Sequence, residues 1–459
     1  MKKYIHRFIE NDMLEWKKNW NDKVLYVSGC RQVGKTTTIL HFAHEYYKQV
    51  IYVNVAVDEY VSKLSTVSEY TVQNVIRELC VRNGIEYIDS NQTVLILDEI
   101  QESKAVYERI RVFRNILNCD VIVTGSYLGS LKNAFQPLGD IYKLQLYPLS
   151  YQEYLYYYDG YSYYCDHSIE EICNNSDAFE WFKNVYKTYI LVGGYPEVFS
   201  TYLRGENIES VFENLVEVFN KEFKNNTTDP SDYDKISQMF QAVCKIMSNE
   251  KKGSVGFMND VSALTTQYNK KRLNKEECSN LLAWMSESHI INYVDKMDLN
   301  LNQMFPGERA YFEDIGLANY LCSKYCTTTE AKMGLLSETF VYKQLSENKF
   351  HDRFYFDRPS FAVYNQYELD FYVRSKFDNL RYGIEVKSGR NIGLSANKLL
   401  EKEKVDIIVN AKGESGFGSV DRKYTIPIFF IGKFDFSVGE KVKPQTPNPI
   451  MNFMDLDIK

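Results

Sequence analysis

The chain has 459 residues, 44% of them apolar and 25% charged, which fits a soluble protein of several domains and excludes one compact core. A net charge of −7 and a pI near 5.6 exclude a broad electrostatic attraction to nucleic acid, so any DNA contact has to be local. No apolar run reaches membrane-spanning length and the opening MKKYIHRFIEND lacks the stretch of a secretory signal, so a cytoplasmic protein without a membrane partner is expected.

In chain order, the apolar run VLYVS (24–28) ends in a glycine-containing turn, and a helical pattern follows from Lys35 to Tyr47. Further apolar runs cover 51–57, 93–97 and 120–126, each continuous rather than alternating and separated by helical stretches. That pattern predicts a parallel sheet buried on both faces, so residues 19–150 read as a doubly wound α/β nucleotide-binding domain. From 151 to about 225 the pattern is helical, broken by a tight turn at Gly193-Gly194-Tyr195-Pro196. The polar stretch 224–234 marks a boundary, and 235–305 is helical before a short β-like run, the pattern of a small winged helix. A second polar stretch near 323–332 precedes a domain of mixed strands and helices, and 436–459 reads as an irregular tail.

Nine cysteines are scattered, and Cys322 with Cys326 is the nearest approach to a zinc-like pair. With no second pair at suitable spacing, free thiols in a reducing compartment are the better reading. Tyrosine is abundant at 37 residues, with a dense run near Tyr151–Tyr164, where a base-stacking platform competes with the plainer reading of half-buried positions, which is preferred.

Gly29-Cys30-Arg31-Gln32-Val33-Gly34-Lys35-Thr36 matches G-x-x-x-x-G-K-[ST] directly after a strand and at the opening of a helix. Glycines let backbone N–H groups turn inward on phosphates, and the helix N-terminus adds positive potential. Nucleotide contacts are therefore expected from Gly29, Arg31, Gln32, Val33, Gly34, Lys35, Thr36 and Thr37. Lys35 would supply a point charge to the β- and γ-phosphates of ATP, and Thr36 a hydroxyl to Mg²⁺. The strand LIL (95–97) runs into Asp98, expected to hold the Mg²⁺, and Glu99, expected to polarise the attacking water. Thr124-Gly125-Ser126 ends the next strand, where Ser126 is placed to touch the γ-phosphate or the water, although a plain turn would look the same.

The ordered set GCRQVGKTT, LILDEIQ, VTGS, LYPLSYQEY and GGYPEV resembles a prokaryotic family of AAA-type ATPases, from about residue 20 to 432. RAYFEDIGL (309–317) is similar to that family's entry into its C-terminal half. The resemblance implies a P-loop core over 1–150, a helical lid over 151–230, a winged helix over 231–325 and a PD-(D/E)XK nuclease-like domain over 326–435. One departure stands out. Where the family usually carries an arginine after a glycine, Gly139 is followed by Asp140. Arg109, Arg111 and Arg114 are substitutes for it, although solvated or ion-paired helix faces would explain each of them.

A second constellation lies near the C-terminus. Period-2 spacing puts Glu385 and Lys387 on one face of the strand YGIEVK, with Asp370 on a neighbouring strand. The spacing D-x₁₄-E-x-K resembles the PD-(D/E)XK nuclease core, with Glu338 as an acid on the preceding helix. There Asp370, Glu385 and Glu338 would hold Mg²⁺, and Lys387 would orient or deprotonate a water.

Two functions follow as expectations. In one, ATP turnover controls DNA handling, with local cations such as Lys270-Lys271-Arg272 meeting the duplex. In the other, the P-loop domain is a nucleotide-gated switch for a protein partner or a homo-oligomer, and the C-terminal domain is inert.

Overall fold

The computed structural model describes residues 4–58, 69–82, 84–125, 139–225, 233–248, 259–261, 275–325, 328–347, 349–350, 353–354, 356, 358–387, 394–413 and 416–439. The chain divides into two compact units. The first joins Met1–His167, Glu180–Tyr293 and Ala310–Leu336, and the second joins Ser168–Phe179, Val294–Arg309 and Ser337–Lys459.

In the first unit, strands β1 (Val24–Ser28), β2 (Gln49–Asn54), β3 (Thr93–Asp98), β4 (Asp120–Gly125) and β5 (Ile141–Gln145) form a sheet ordered β2-β3-β4-β1-β5. Every pairing is parallel. β3 and β4 are buried along their whole length, which is why their sequences run apolar without alternating. β5 lies on the edge with only Ile141 fully buried, and its mixed IYKLQ pattern carries no strand signal of that kind. β2 stops at Asn54 rather than at 57 because the Asn54 side chain accepts from Ala56 N at 2.9 Å and turns the chain. Helix α1 (Ile9–Asn19) precedes the sheet, and α2 (Lys35–Tyr46) follows the loop after β1.

The helical segment that follows is built on explicit caps. Ser150 and Glu153 form a capping box at Tyr151–Tyr157, which accounts for the SYQE of LYPLSYQEY. Helix Ser176–Val192 ends at Gly193, whose φ of +72° suits a residue without Cβ, and Pro196 occupies the first turn of Pro196–Leu203. In the tyrosine run Tyr151, Tyr154 and Tyr164 are core, while Tyr157, Tyr158, Tyr161 and Tyr163 are half-buried and Tyr156 is exposed. Tyr151 and Tyr154 are fully buried, with hydroxyls donating to Phe182 O at 3.0 Å and to Gly193 O. A stacking platform built on these two rings is therefore excluded.

An eight-stranded mixed sheet, most of it in the second unit, is ordered β14-β15-β13-β12-β11-β10-β6-β7. Its strands are β6 (Ile291–Asp298), β7 (Gln303–Phe312), β10 (Ser360–Tyr364), β11 (Tyr367–Arg374), β12 (Arg381–Lys387), β13 (Ile407–Lys412), β14 (Gly418–Val420) and β15 (Lys423–Pro427). Two short strands, β8 (Lys349–Phe350) and β9 (Arg353–Phe354), pair separately.

The expected boundaries of 231–325 and 326–435 are redrawn here. The β6–β7 hairpin does not close off a free-standing winged helix, because Lys296–Asp298 pair in parallel with Phe361–Val363 of β10. An edge strand with unpaired N–H and C=O groups is a template for a further strand, and β10 uses it. The lid segment 151–230 is also divided, since Ser168–Phe179 belongs to the second unit, where the Phe179 ring lies 5.5 Å from that of Phe429. The tail begins later than 436. Phe436 is fully buried against Tyr382 and Phe434, and Gly439 N donates to Asp378 Oδ2 at 3.1 Å. Among the described residues no helix is long and apolar enough to cross a membrane.

Candidate nucleotide-binding site

The loop between β1 and α2 is shaped by positions that only glycine tolerates. A Cβ on Gly29, where φ is +150°, would stand 2.2 Å from the carbonyl oxygen of Leu146. Gly34 caps α2 at φ +92°, and a Cβ there would reach 3.5 Å from Pro196 Cγ. Gln32 also takes a left-handed conformation, with φ +62°. Lys35 is buried, and its Nζ donates to the carbonyls of Gly29 at 3.0 Å and Cys30 at 2.9 Å. Burial lowers its pKa below the ordinary lysine range, opposed by Cys30 and by the carboxylates of Glu99, Asp98 and Glu222.

Thr36, one residue on, faces the end of β3. Its Oγ1 donates to Asp98 Oδ2 at 2.7 Å, and the Tyr52 hydroxyl donates to the same oxygen at 2.7 Å. Burial and that hydrogen bond push the Tyr52 phenol up to about 12. Asp98 Oδ1 accepts from Glu99 N at 2.9 Å, and Glu99 takes φ +55°, which turns it out of the strand. A threonine hydroxyl beside a carboxylate is a pair of hard oxygen donors, which suits Mg²⁺.

Beside β1 in the sheet, β4 pairs Val27 with Thr124 and Ser28 with Gly125. Thr124 is fully buried, and its Oγ1 has no hydrogen-bond partner among the described residues. A buried hydroxyl left in that state at the sheet end bearing the loop suits a ligand group. Ser126, the residue expected to act from this strand, lies outside the described residues, as do Lys270, Lys271, Arg272 and Cys326.

Several contributors lie too far away in sequence for any spacing rule to reveal them. Arg7 is buried and ties three segments together. Its Nη1 donates to Val33 O at 2.9 Å, its Nη2 to Tyr147 O at 2.6 Å and its Nε to Glu153 Oε1 at 3.1 Å. Arg31 Nε pairs with Glu222 Oε2 at 2.9 Å. Burial works against the Arg31 charge, yet Glu222, with Glu99 and Glu102 adding to it, raises the pKa overall. Burial likewise lifts Glu222 above the ordinary carboxylate range, with Arg31 only partly offsetting it. Cys30 Sγ lies 3.3 Å from the Tyr195 hydroxyl, and burial pushes the thiol up to about 12.

GGYPEV and RAYFEDIGL, quoted above as separate motifs, interlock. A Cβ on Gly193 would come within 2.6 Å of Gly316 Cα, and one on Gly316 equally close to Gly193 Cα. Asp314 Oδ2 accepts from Gly194 N at 2.6 Å, while Oδ1 caps the next helix through Leu317 N at 2.7 Å. Its neighbour Glu313 accepts from Asn292 Nδ2 at 2.6 Å, and His289 Nδ1 lies 3.0 Å from Gln145 Nε2.

Asp140 occupies the place of the missing arginine, and its carbonyl accepts from Val24 N at 2.9 Å. Arg109 sits half-buried at the junction of helices Lys104–Glu108 and Ile110–Ile116, while the side chains of Arg111 and Arg114 are outside the description.

In the second unit, Lys387 Nζ pairs with Glu385 at 2.9 Å, which places both on one face of β12. Asp370 lies one step beyond the Phe371↔Ile384 pair, opposite Glu385, and its Oδ2 accepts from Val386 N at 2.7 Å. Burial pushes Asp370 up, with Lys387 the main opposing charge. Burial disfavours the Lys387 charge, but Asp370, Glu385 and Glu338 together raise its pKa. Glu385 thus touches the Lys387 ammonium, and Asp370 and Glu338 act on it through their charges. Among the described residues, however, the three acids do not bring one oxygen apiece within 4.8 Å of one another, so Lys387 serves as their shared counter-charge.

Residues 21–155 match the family described as AAA domain, and residues 183–331 match a domain of unknown function, DUF8612. No curated protein matches the chain. Among solved structures, the chain is similar to a Walker-type ATPase of Pyrococcus abyssi at 15% identity and a TM-score of 0.44, covering 69% of this chain and 96% of that one. It is also similar to the Orc1 protein of Aeropyrum pernix in complex with DNA, at 13% identity and a TM-score of 0.27, over 70% and 94%. A third is the RuvB Holliday junction branch migration motor of Thermotoga maritima, at 15% and 0.29, over 66% and 93%. The family match and the loop geometry together identify residues 21–155 as an AAA-type P-loop ATPase domain.

Proposed function

We propose that the chain binds ATP with Mg²⁺, hydrolyses it, and uses turnover to control the binding or processing of DNA. The observation that carries the first half is the Thr36–Asp98 hydrogen bond of 2.7 Å, which joins the two expected magnesium ligands at the mouth of the loop. Bound Mg²⁺ would neutralise charge developing on the phosphates. Lys35 leaves its loop carbonyls to meet the β- and γ-phosphates, and Glu99, turned away from β3, orients and polarises water. Thr124 offers its spare hydroxyl beside them.

DNA handling is supported by Asp370 and Glu385 on the paired central strands β11 and β12, with Lys387 on Glu385 and the Glu338 charge acting on it. The nucleotide-gated switch is the second reading. It is favoured by Lys387 already neutralising the acids and by their separation beyond three-ligand reach. Two assays separate the readings. The ATPase rate is measured with and without duplex DNA, and supercoiled plasmid is incubated with Mg²⁺ or Mn²⁺, with and without ATP. The DNA reading requires a rate that changes with DNA. Nicking has to disappear in Lys387→Ala while ATP binding persists; nicking that survives that change excludes the proposed site, and indifference to DNA in both assays leaves the switch.

A further inference from the structure

Away from both constellations, Glu10, His41 and Glu45 each bring a ligand atom within 4.8 Å of the other two. We propose that these three side chains form a site for a divalent metal of the zinc class, which fastens the N-terminal segment to the P-loop helix.

Glu10 stands in the first turn of α1 at 5% exposure. Its Oε1 accepts from the Tyr4 hydroxyl at 2.5 Å and from Arg7 N at 3.3 Å, and its Oε2 lies 2.9 Å from His41 Nδ1. The Tyr4 ring stacks on His41 with centroids 3.7 Å apart, which holds the imidazole in place. His41 and Glu45 are four residues apart on α2, so they share one helix face and chelate from the same side. His6 lies outside that group, with Nδ1 3.6 Å from Glu10 Oε1.

A hydrogen bond between His41 and Glu10 needs only two of these groups. Glu45 adds a second carboxylate within 4.8 Å of that pair, a third donor that the His41–Glu10 contact does not use and that a divalent cation would take up. Metal–ligand bonds of about 2.0–2.2 Å place neighbouring donors roughly 3.4 Å apart, so a small closing of rotamers completes the site. Imidazole with two carboxylates selects a borderline metal over Mg²⁺ and Ca²⁺, which take oxygen ligands. Glu45 is exposed, and water can fill the remaining position. The coupling to the nucleotide loop is short, since Arg7, three residues before Glu10, donates to Val33 O.

The test is a titration of the chelator-treated full chain with Zn²⁺ and Co²⁺, without nucleotide. Calorimetry and absorbance report binding, and thermal unfolding is followed in parallel. The expected result is one equivalent bound, a Co²⁺ spectrum without thiolate charge-transfer bands, and a rise in melting temperature with free metal. Affinity for that equivalent falls about tenfold or more in both His41→Ala and Glu45→Gln, but persists in Asp98→Asn, which alters the nucleotide site. Absence of binding at micromolar metal, a thiolate spectrum, or an equivalent undiminished in the variants overturns the proposal. Should His41→Ala fail to fold, Glu45→Gln decides, because its side chain is exposed.

Discussion

Arg31 Nε and Glu222 Oε2 lie 2.9 Å apart, so a nucleotide-loop cation is paired with a carboxylate on helix Glu209–Asn225. Burial raises the Glu222 pKa above its ordinary 4.5, which means the folded state takes up its proton more readily than the unfolded chain. The stability from that proton is fully present below about 4.5 and is lost as pH rises through the raised value. Melting curves across that range should therefore show Glu222→Gln, which cannot titrate, gaining on the wild type as pH rises. A difference that shrinks with rising pH contradicts the assignment. The same variant frees Arg31, and ATP affinity measured by calorimetry should rise several-fold.

Lys35 and Glu99 have separable tasks. Lys35→Ala removes the buried charge under the loop, and ATP binding should weaken by at least about tenfold, a loss of roughly 1.4 kcal/mol. Glu99→Gln leaves the loop intact, so binding should persist while the hydrolysis rate falls by about 10²–10⁴. Equal loss of binding in both variants would mean that Glu99 supports the loop instead of the water.

The Gly193–Gly316 contact leaves no room for a methyl group on either residue. Gly193→Ala carries a positive-φ cost of about 1–3 kcal/mol before any clash is counted. Thermal unfolding should show both alanine variants destabilised. Because each residue is the other's obstacle, the double variant should depart from additivity.

Asp314 serves two chain segments with one carboxylate. Asp314→Ala removes a helix cap, about 0.5–2 kcal/mol, and leaves Gly194 N buried without its acceptor, about 1–3 kcal/mol. The melting temperature should fall by more than in Ser103→Ala, which removes an ordinary cap from the short helix Lys104–Glu108.

How much was legible in the sequence differs between the two units. In the first, β1, β3 and β4 are central strands, and burial on both faces writes itself as unbroken apolar runs. β5 is an edge strand and left no such mark. In the second, the alternating acids of β11 and β12 showed which residues share a face, and Lys387 does meet Glu385. The parallel joining of β6 to β10 was not readable, because a strand's own pattern does not say which neighbour takes its free edge.

By itself the sequence determined the phosphate-binding loop, since the glycines at 29 and 34, the lysine and the threonine act through local backbone geometry over a few residues. It also determined that a buried strand ends at Asp98, with Glu99 next in the chain. Only the tertiary structure decided what surrounds the loop. Arg7 on Val33, Glu222 on Arg31, Tyr195 on Cys30 and the two interlocked glycines are contacts between residues far apart in the chain, and such contacts leave no period or spacing to read. The same holds for the Glu10, His41 and Glu45 cluster, which exists only because α1 and α2 pack together.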